Sequence, residues 1–365
     1  MDIIYDEIVR VTSQFKINGR VTGAEKIELG HINTTYRLFT DGEDDFILQR
    51  INTDIFVEPD KLIENILAVT SFLAKKIAQK NGDLKRETLT LIETKEGGYL
   101  YNTQSGYYRM YIFIKDATSY NTAVRPVLFH NAAVAFGRFQ KQLCDFPAEK
   151  LHETIRNFHN TPSRFNDFCL SVEKNASGRA GMASREIEFI RRRAAFCPFI
   201  TEKIQNGVIP LRVTHNDTKL NNIMIDNKTD EGVCVIDLDT VMPGSVLYDF
   251  GDSIRFGASS AAEDEKNLDR VYMDLSLFEE FTKGFLSEAK EILTDAEIDL
   301  LPYGAIMMTL ECGMRFLTDY IDGDKYFALH YEGQNFDRAR TQLKLVLDME
   351  RKLPEMKEIV KKYSK

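Results

Sequence analysis

Apolar positions along the chain change their period twice. The runs Glu25 to Gly30, Asn33 to Thr40 and Phe46 to Ile51 are short and β-prone, and Asp41-Gly42-Glu43-Asp44-Asp45 places turn residues between the last two. Together they predict a three-strand meander. From Glu58 to Lys80 the apolar set becomes Leu62, Ile63, Ile66, Leu67, Val69, Phe72, Leu73 and Ile77, a three-and-four spacing that predicts one long amphipathic helix. Leu89 to Glu93, Gly98 to Asn102 and Tyr108 to Ile114 return to strand-like runs, and Lys115-Asp116-Ala117-Thr118 reads as a crossing between two parts of the chain.

Beyond that crossing the spacing is mostly helical: Arg125 to Leu143, Ala183 to Gln205, Leu268 to Leu293, Asp295 to Tyr320 and Asn335 to Lys352. The strand-like exceptions are Ile209 to Thr214, Asn222 to Ile225 and Val233 to Ile236. The expectation is an α+β protein of two lobes: residues 1–115 a small sheet-rich lobe with one long helix, residues 116–365 a larger, mostly helical lobe. No internal repeat or long Gly/Ser linker interrupts it.

The exceptional strands carry the chemistry. Between the first two lies His215-Asn216-Asp217-Thr218-Lys219-Leu220-Asn221-Asn222, and Asp237 of Ile236-Asp237-Leu238-Asp239 ends the third. In an H-x-D-x-x-x-x-N segment the aspartate faces an attacking hydroxyl, and the asparagine turns back toward a magnesium ion that a second aspartate also holds. Phosphoryl transfer needs mainly alignment of donor and acceptor and neutralisation of phosphate charge, which hard oxygen ligands around Mg2+ supply. Asp217 is thus the candidate base, Asn222 and Asp237 the candidate metal ligands, and a nucleotide the expected phosphoryl donor. His215 reads as scaffold. Aspartate and asparagine also cap turns, but apolar strands on both sides point these carboxylates into a cleft.

On the nucleotide side, Leu29 to Tyr36 spans the turn between the first two strands. Gly30 permits close backbone approach, and Asn33, Thr34 and Thr35 offer neutral donors, although a one-glycine turn has an equally good structural explanation. The third strand has no lysine. Gln49 or Arg50 must then reach the phosphates, with Glu64 of the long helix as partner; strand alternation sends the two residues to opposite faces, so only one points inward. Lys219 is a candidate for the γ-phosphate.

With 365 residues, 43% hydrophobic and 28% charged, the chain has ample length for a core. Its apolar runs are too short to span a bilayer, and Met1 to Glu7 lacks a signal-peptide pattern, so a cytoplasmic protein without a membrane partner is expected. Five scattered cysteines without CxxC spacing suggest reduced thiols. A formal charge of −9 argues against nucleic acid as a partner. Arg191-Arg192-Arg193 falls in a helical run with Glu186 and Glu188 and reads as a solvated face with intrahelical pairs.

Taken together these residues resemble the aminoglycoside phosphotransferase and choline kinase-like superfamily of small-molecule kinases, over nearly the whole chain. Three segments are similar to the N-acetylhexosamine 1-kinases: His215 to Asn222, Val235 to Asp252 and Leu310 to Phe327. The resemblance implies a bilobal protein-kinase-like fold and Mg2+-dependent transfer of the γ-phosphate of ATP to the anomeric hydroxyl of N-acetylglucosamine or N-acetylgalactosamine. By position it implies Asp217 as base and Asn222 and Asp237 as metal ligands. It further implies Arg315, Phe256, Tyr326 and His31 around the sugar. A guanidinium can bracket adjacent hydroxyls and aromatic faces cover a pyranose ring. Arg315 has an equally good alternative in an ion pair with Asp319, four residues on. The D-F-G string at Asp249-Phe250-Gly251 is read as opening a helix, with Asp249 and Asp252 supporting the catalytic loop or the Met242-Pro243-Gly244 turn. The rival reading is another hydroxyl acceptor, such as choline, homoserine or an aminoglycoside, since a cation would suit Asp322 and Asp324.

Overall fold

Strand alternation gives the first sheet two unlike faces, and each face finds its own partner. In the computed structural model, which describes residues 3–27, 32–121 and 125–365, helix α1 (Ile3–Thr12) precedes β1 (Val21–Ile27), β2 (Thr34–Thr40) and β3 (Phe46–Arg50). Helix α2 (Pro59–Gln79) follows, then β4 (Tyr101–Thr103) and β5 (Gly106–Ile112). The five strands form one antiparallel sheet in the order β1-β2-β3-β5-β4. Leu38, Phe46, Leu48, Tyr108 and Met110 point to one side and enclose a small core with Ile8, Val11 and Phe15. Ile51 and Tyr111 point to the other side, into the main core beside Leu62, Ile66 and Leu73 of α2. The expected meander and long helix are present. Leu89 to Glu93 is not a strand; Leu91 makes only an isolated bridge to Tyr111.

The remainder is mostly helical: α3 (Pro126–Leu143), α4 (Thr161–Lys174), α5 (Ser184–Arg191), α6 (Phe199–Gln205), α7 (Val246–Gly257), α8 (Leu275–Ala289), α9 (Asp295–Asp322), α10 (Gln334–Arg351) and α11 (Leu353–Ser364). This is the α+β, kinase-like arrangement expected. Four helices fall outside the expected runs. One is α4, although Asn160 caps it by accepting from Ser163 N–H, Pro162 opens its first turn and Asn175 closes it in the left-handed region. The others are α7, where only the D-F-G string had been read as opening a helix, and the terminal helices α1 and α11. The run Ala183 to Gln205 is broken where Pro198 removes a donor and disfavours helix before it. The run Leu268 to Leu293 begins only at Leu275, because Asp274 caps there. Arg192 pairs with Glu188 as expected, while Arg193 reaches Glu350 on α10.

Five short strands carry the loops. β6 (Ala117–Thr118), β8 (Ile223–Asp226) and β9 (Gly232–Val235) form one antiparallel sheet in the order β6-β8-β9, and β7 (Arg212–Thr214) pairs with β10 (Met242–Gly244). The chain crosses from β7 to β8 through residues 215–222 and returns from β9 to β10 through residues 236–241, so the two loops lie side by side. The Ile236 N–H donating to the Asn222 carbonyl at 2.9 Å ties them together. Behind them α7 crosses α9 very closely. A Cβ at Gly251 would come within 2.4 Å of the Gly304 carbonyl oxygen, and one at Gly304 within 2.6 Å of the Leu247 carbonyl oxygen, so this crossing requires the missing side chains.

Candidate active site

The loop from His215 to Asn222 is held from beneath by one carboxylate. Asp249, buried in α7, accepts the His215 N–H at 3.0 Å, the Asn216 N–H at 2.8 Å and Gln140 Nε2 at 2.7 Å. Its backbone carbonyl accepts Thr218 Oγ1 at 2.5 Å, and Ser253 Oγ donates to the Thr218 carbonyl. Burial nevertheless pushes the Asp249 carboxyl above its usual value, against the pull of His215 and these donors. The His215 ring, wholly buried against Phe136 and Phe139, donates Nε2–H to the Ile236 carbonyl at 2.8 Å and accepts the Asp217 N–H on Nδ1 at 3.3 Å. Both of its nitrogens are spent on the backbone, as a scaffold requires.

Asp217 meets two of the residues singled out with it. Lys219 Nζ lies 2.6 Å from Oδ1, and Asn222 Nδ2 donates to Oδ2 at 3.0 Å. Burial pushes this carboxyl up, but Lys219, His215 and Asn222 together hold it below its ordinary value. Because Asn222 Nδ2 also donates to the Asp217 carbonyl at 2.7 Å, its amide orientation is fixed and Oδ1 is left for other use. Asp237 stands in the left-handed region, at φ +58° and ψ +56°, a conformation uncommon for non-glycine residues and concentrated at functional sites. It opens to solvent in the cleft, yet its enclosure by protein and the nearby Asp239 and Asp217 carboxylates push it up to about 7.

This donor set fits a divalent cation of the magnesium kind. One carboxylate, Asp237, stands beside two others without a cation of its own among the described residues, and one amide oxygen is oriented and unused. Among the described residues no cluster of three or more His, Cys, Asp or Glu forms a closed metal cage. Mg2+ characteristically keeps waters and substrate phosphates around one or two protein ligands.

The other side of the cleft departs from the expectation. Gln49 lies on the sheet face that looks at the loops. Its Oε1 accepts Arg109 Nε at 3.0 Å and Nη2 at 2.9 Å, and its Nε2 donates to Thr35 Oγ1. Arg50 is on the opposite face, exposed, with Nη1 reaching the Ser105 carbonyl at 3.5 Å. Glu64 does not approach Arg50; it is exposed and contacts His152 Nε2 at 2.6 Å. The cation on the loop-facing side of the sheet is Arg109 of β5, directly across from Gln49 in register and 1% exposed. Its Nη2 lies 2.6 Å from Asp239 Oδ1, off the hydrogen-bonding direction, and its Nη1 has no partner. Asn33 Nδ2 donates to the other Asp239 oxygen at 2.6 Å, and Asn33 Oδ1 accepts the Asn52 N–H. Asp239 is thereby bound to β5 and to the turn before β2. Thr34 pairs with Arg50 in register. An arginine inside the otherwise apolar run Tyr108 to Ile114 was the signal available for Arg109.

Among the residues expected around the sugar, Arg315 does not pair with Asp319. That carboxylate accepts the backbone N–H groups of Lys325, Tyr326 and Phe327 and Asn335 Nδ2, folding the segment after α9 back onto the helix. Arg315 instead lies among aromatic rings, its Cζ 5.3 Å from Phe158, 5.5 Å from Phe327 and 6.0 Å from Tyr326, and Tyr326 is 54% exposed. One helical turn earlier, buried Glu311 contacts His159 Nδ1 at 2.7 Å and accepts Thr161 Oγ1 at 2.6 Å. His159 Nε2 meets the Asn216 carbonyl at 3.2 Å, next to Asp217. His159 and Glu311 are far apart in sequence and carried no local signal. Phe256 is half-buried at the end of α7, following Arg255, which pairs with Asp252 at 2.8 Å. His31 lies outside the described residues.

Residues 23–277 match the protein family described as phosphotransferase enzyme family. Among solved structures, a microcompartment-associated aminopropanol kinase aligns over 97% of this chain and 98% of its own, at TM-score 0.63 and 16% identity. A spectinomycin phosphotransferase in complex with ADP and spectinomycin aligns over 95% and 98%, at TM-score 0.60 and 13% identity. The choline kinase from Cryptosporidium parvum Iowa II aligns over 99% of each chain, at TM-score 0.59 and 14% identity. At these identities the likeness is one of fold.

Proposed function

Since the chain belongs to the phosphotransferase enzyme family, we propose that it is a kinase moving the γ-phosphate of ATP, with Mg2+, to the anomeric hydroxyl of an N-acetylhexosamine, releasing ADP and the sugar 1-phosphate. Residues 1–115 form the nucleotide lobe and 116–365 the catalytic and acceptor lobe in this reading. The observation that carries the choice of acceptor is Arg315: a guanidinium with no carboxylate partner among the described residues, set in aromatic rings one helical turn from Glu311. That is a surface for hydroxyl and acyl oxygens on a ring. Carboxylates that could have received a cation are committed elsewhere. Asp322 accepts Ser171 Oγ at 2.7 Å, and Asp324 is held by Arg179 and Asn335.

Asp217 orients the acceptor hydroxyl and takes its proton late, as a loose transition state allows. Lys219, which lies 2.6 Å from Asp217 Oδ1, has a natural second partner in the γ-phosphate, and moving to it would free Oδ1 for the acceptor. Burial lowers the Lys219 pKa, but Asp217 and Asp252 raise it further, so the group stays cationic. Asn222 Oδ1 and the Asp237 carboxylate would hold Mg2+, which when bound neutralises charge on the phosphates. In this reading Asn33, Gln49 and Arg109 form the wall facing the phosphates; Thr34, which shares the Arg50 face of the sheet, does not, nor do Arg50 and Glu64. With ATP as donor, we expect the enzyme to act in the cytoplasm.

The test is ADP release with ATP and Mg2+ against N-acetylglucosamine, N-acetylgalactosamine, galactose and choline, with Asp217→Asn as control. Turnover of an N-acetylhexosamine that disappears in the variant supports the reading. Preference for choline over both hexosamines overturns the acceptor and keeps the kinase.

A further inference from the structure

Around Phe158 the protein gathers two guanidinium groups, neither of them held in a direct ion pair among the described residues. Arg315 of α9 lies over the Phe158 ring at 5.3 Å, and Arg164 of α4 donates both Nε and Nη2 to the Phe158 carbonyl oxygen, each at 3.3 Å. The titratable groups that face them are Glu311, Asp167, Tyr326 and His159. Glu311 is already engaged by His159 and Thr161, and Asp167 is exposed on α4, where water screens it. Burial and the neighbouring Arg315 both push the Arg164 guanidinium below its ordinary value. The like-charge pair is thus felt; the ionised Glu311, which attracts both arginines and is shared with His159, offsets at most one of the two charges. The pair stands beside the residue preceding His159, which contacts the catalytic loop through the Asn216 carbonyl.

We propose that Arg164 acts with Arg315 as a charge filter on the acceptor: the pair repels hydroxyl compounds that carry an ammonium group and admits neutral ones, whose hydroxyl or acyl oxygens can accept guanidinium N–H. Arg164 is then a specificity-determining residue, and the filter separates an N-acetylated amino sugar from the same sugar with a free amine. This rests on the acceptor reading above. Coulomb's law gives the size. A unit charge about 7 Å from another, at an effective dielectric of about 40, corresponds to roughly a sevenfold penalty per arginine.

The experiment compares kcat/KM for glucosamine and N-acetylglucosamine at about pH 6, where an amine of this kind is protonated, in the wild type and in Arg164→Gln. The wild type is expected to disfavour glucosamine by at least about tenfold, and Arg164→Gln to relax that ratio by roughly fivefold or more. Arg164→Lys should keep the wild-type ratio, and raising ionic strength should improve glucosamine selectively in the unmodified protein, a readout that survives if the glutamine variant fails to fold. A merely structural Arg164 would depress both substrates alike; an unchanged ratio in the variant, or one indifferent to salt, overturns the filter. Turnover of N-acetylglucosamine alongside that result leaves the sugar kinase standing, whereas turnover of choline but no sugar removes both.

Discussion

Asp249 is where one substitution should separate support of the catalytic loop from catalysis itself. Its carboxylate accepts three donors, His215 N–H and Gln140 Nε2 on Oδ2 and Asn216 N–H on Oδ1, at 2.7 to 3.0 Å, and it is 2% exposed. Asp249→Asn keeps the shape but has only one oxygen. If that oxygen takes the Oδ2 position, two bonds survive and the new amide group faces the Asn216 N–H, donor against donor. A lost charge-assisted bond and a stranded buried donor cost about 1.5 to 3 kcal/mol and 1 to 3 kcal/mol respectively. Against this, burial already pushes the carboxyl above its usual value, so the ionised form carries a cost that asparagine avoids. The net loss should be about 2 to 3 kcal/mol. At about 2.1 cal/mol/K per residue, this corresponds to a Tm lower by roughly 3 to 4 °C. Asn216, at φ +66°, is the residue just before Asp217, so its release moves the proposed base. A misplacement of about 1 Å costs up to about 10²-fold, and kcat should fall by about 10- to 100-fold. Urea unfolding gives the midpoint and slope, and ADP release gives kcat. An unfolding free energy within about 0.5 kcal/mol of wild type, the range of neutral surface changes, would refute the anchoring argument. So would a kcat loss larger than that of Asp237→Asn.

Asp217→Asn should leave the nucleotide Kd within about twofold while kcat drops by about 10²-fold or more, since general-base positioning contributes on that order; isothermal titration and steady-state rates separate the two. Arg109→Met removes one partner of a buried pair and strands Asp239, at about 3 to 5 kcal/mol, and the double variant with Asp239→Asn should recover part of it; strict additivity in the cycle would show that the pair is not coupled. For Glu311→Gln the pH dependence has a definite sign. Burial pushes the Glu311 carboxyl up, but His159 and Thr161 hold it below its unfolded value of 4.5. The stability it contributes is therefore present above about pH 4.5 and lost as pH falls through the lowered value. The gap in unfolding free energy between wild type and variant should be constant near neutrality and shrink in acid; a gap that widens there contradicts the assignment.

Local spacing was enough for the parts whose cause is local. The meander, α2, α3, α9 and α10 follow from apolar period and turn residues, and the His215 to Asn222 segment with Asp237 could be recognised because strand and loop chemistry sit within one short stretch of chain. Helix breaks were misjudged where one residue outweighed the period, as Pro198 and Asp274 do. Only the folded chain could say which neighbours satisfy which charge. Arg50 and Gln49 are adjacent in sequence, and alternation sends them to opposite faces, but the pleat gives no sign of which face looks into the cleft. That was decided by α1 packing against the Arg50 side of the sheet. Arg315 and Asp319 have ideal spacing for a helical ion pair, yet Asp319 is taken by backbone donors at Lys325 to Phe327, which outnumber one guanidinium and leave it to the acceptor side. Arg109 with Asp239, and His159 with Glu311, join residues more than a hundred positions apart. Such pairs exist because burying a charge demands a partner, and the partner is whichever group the fold brings within reach.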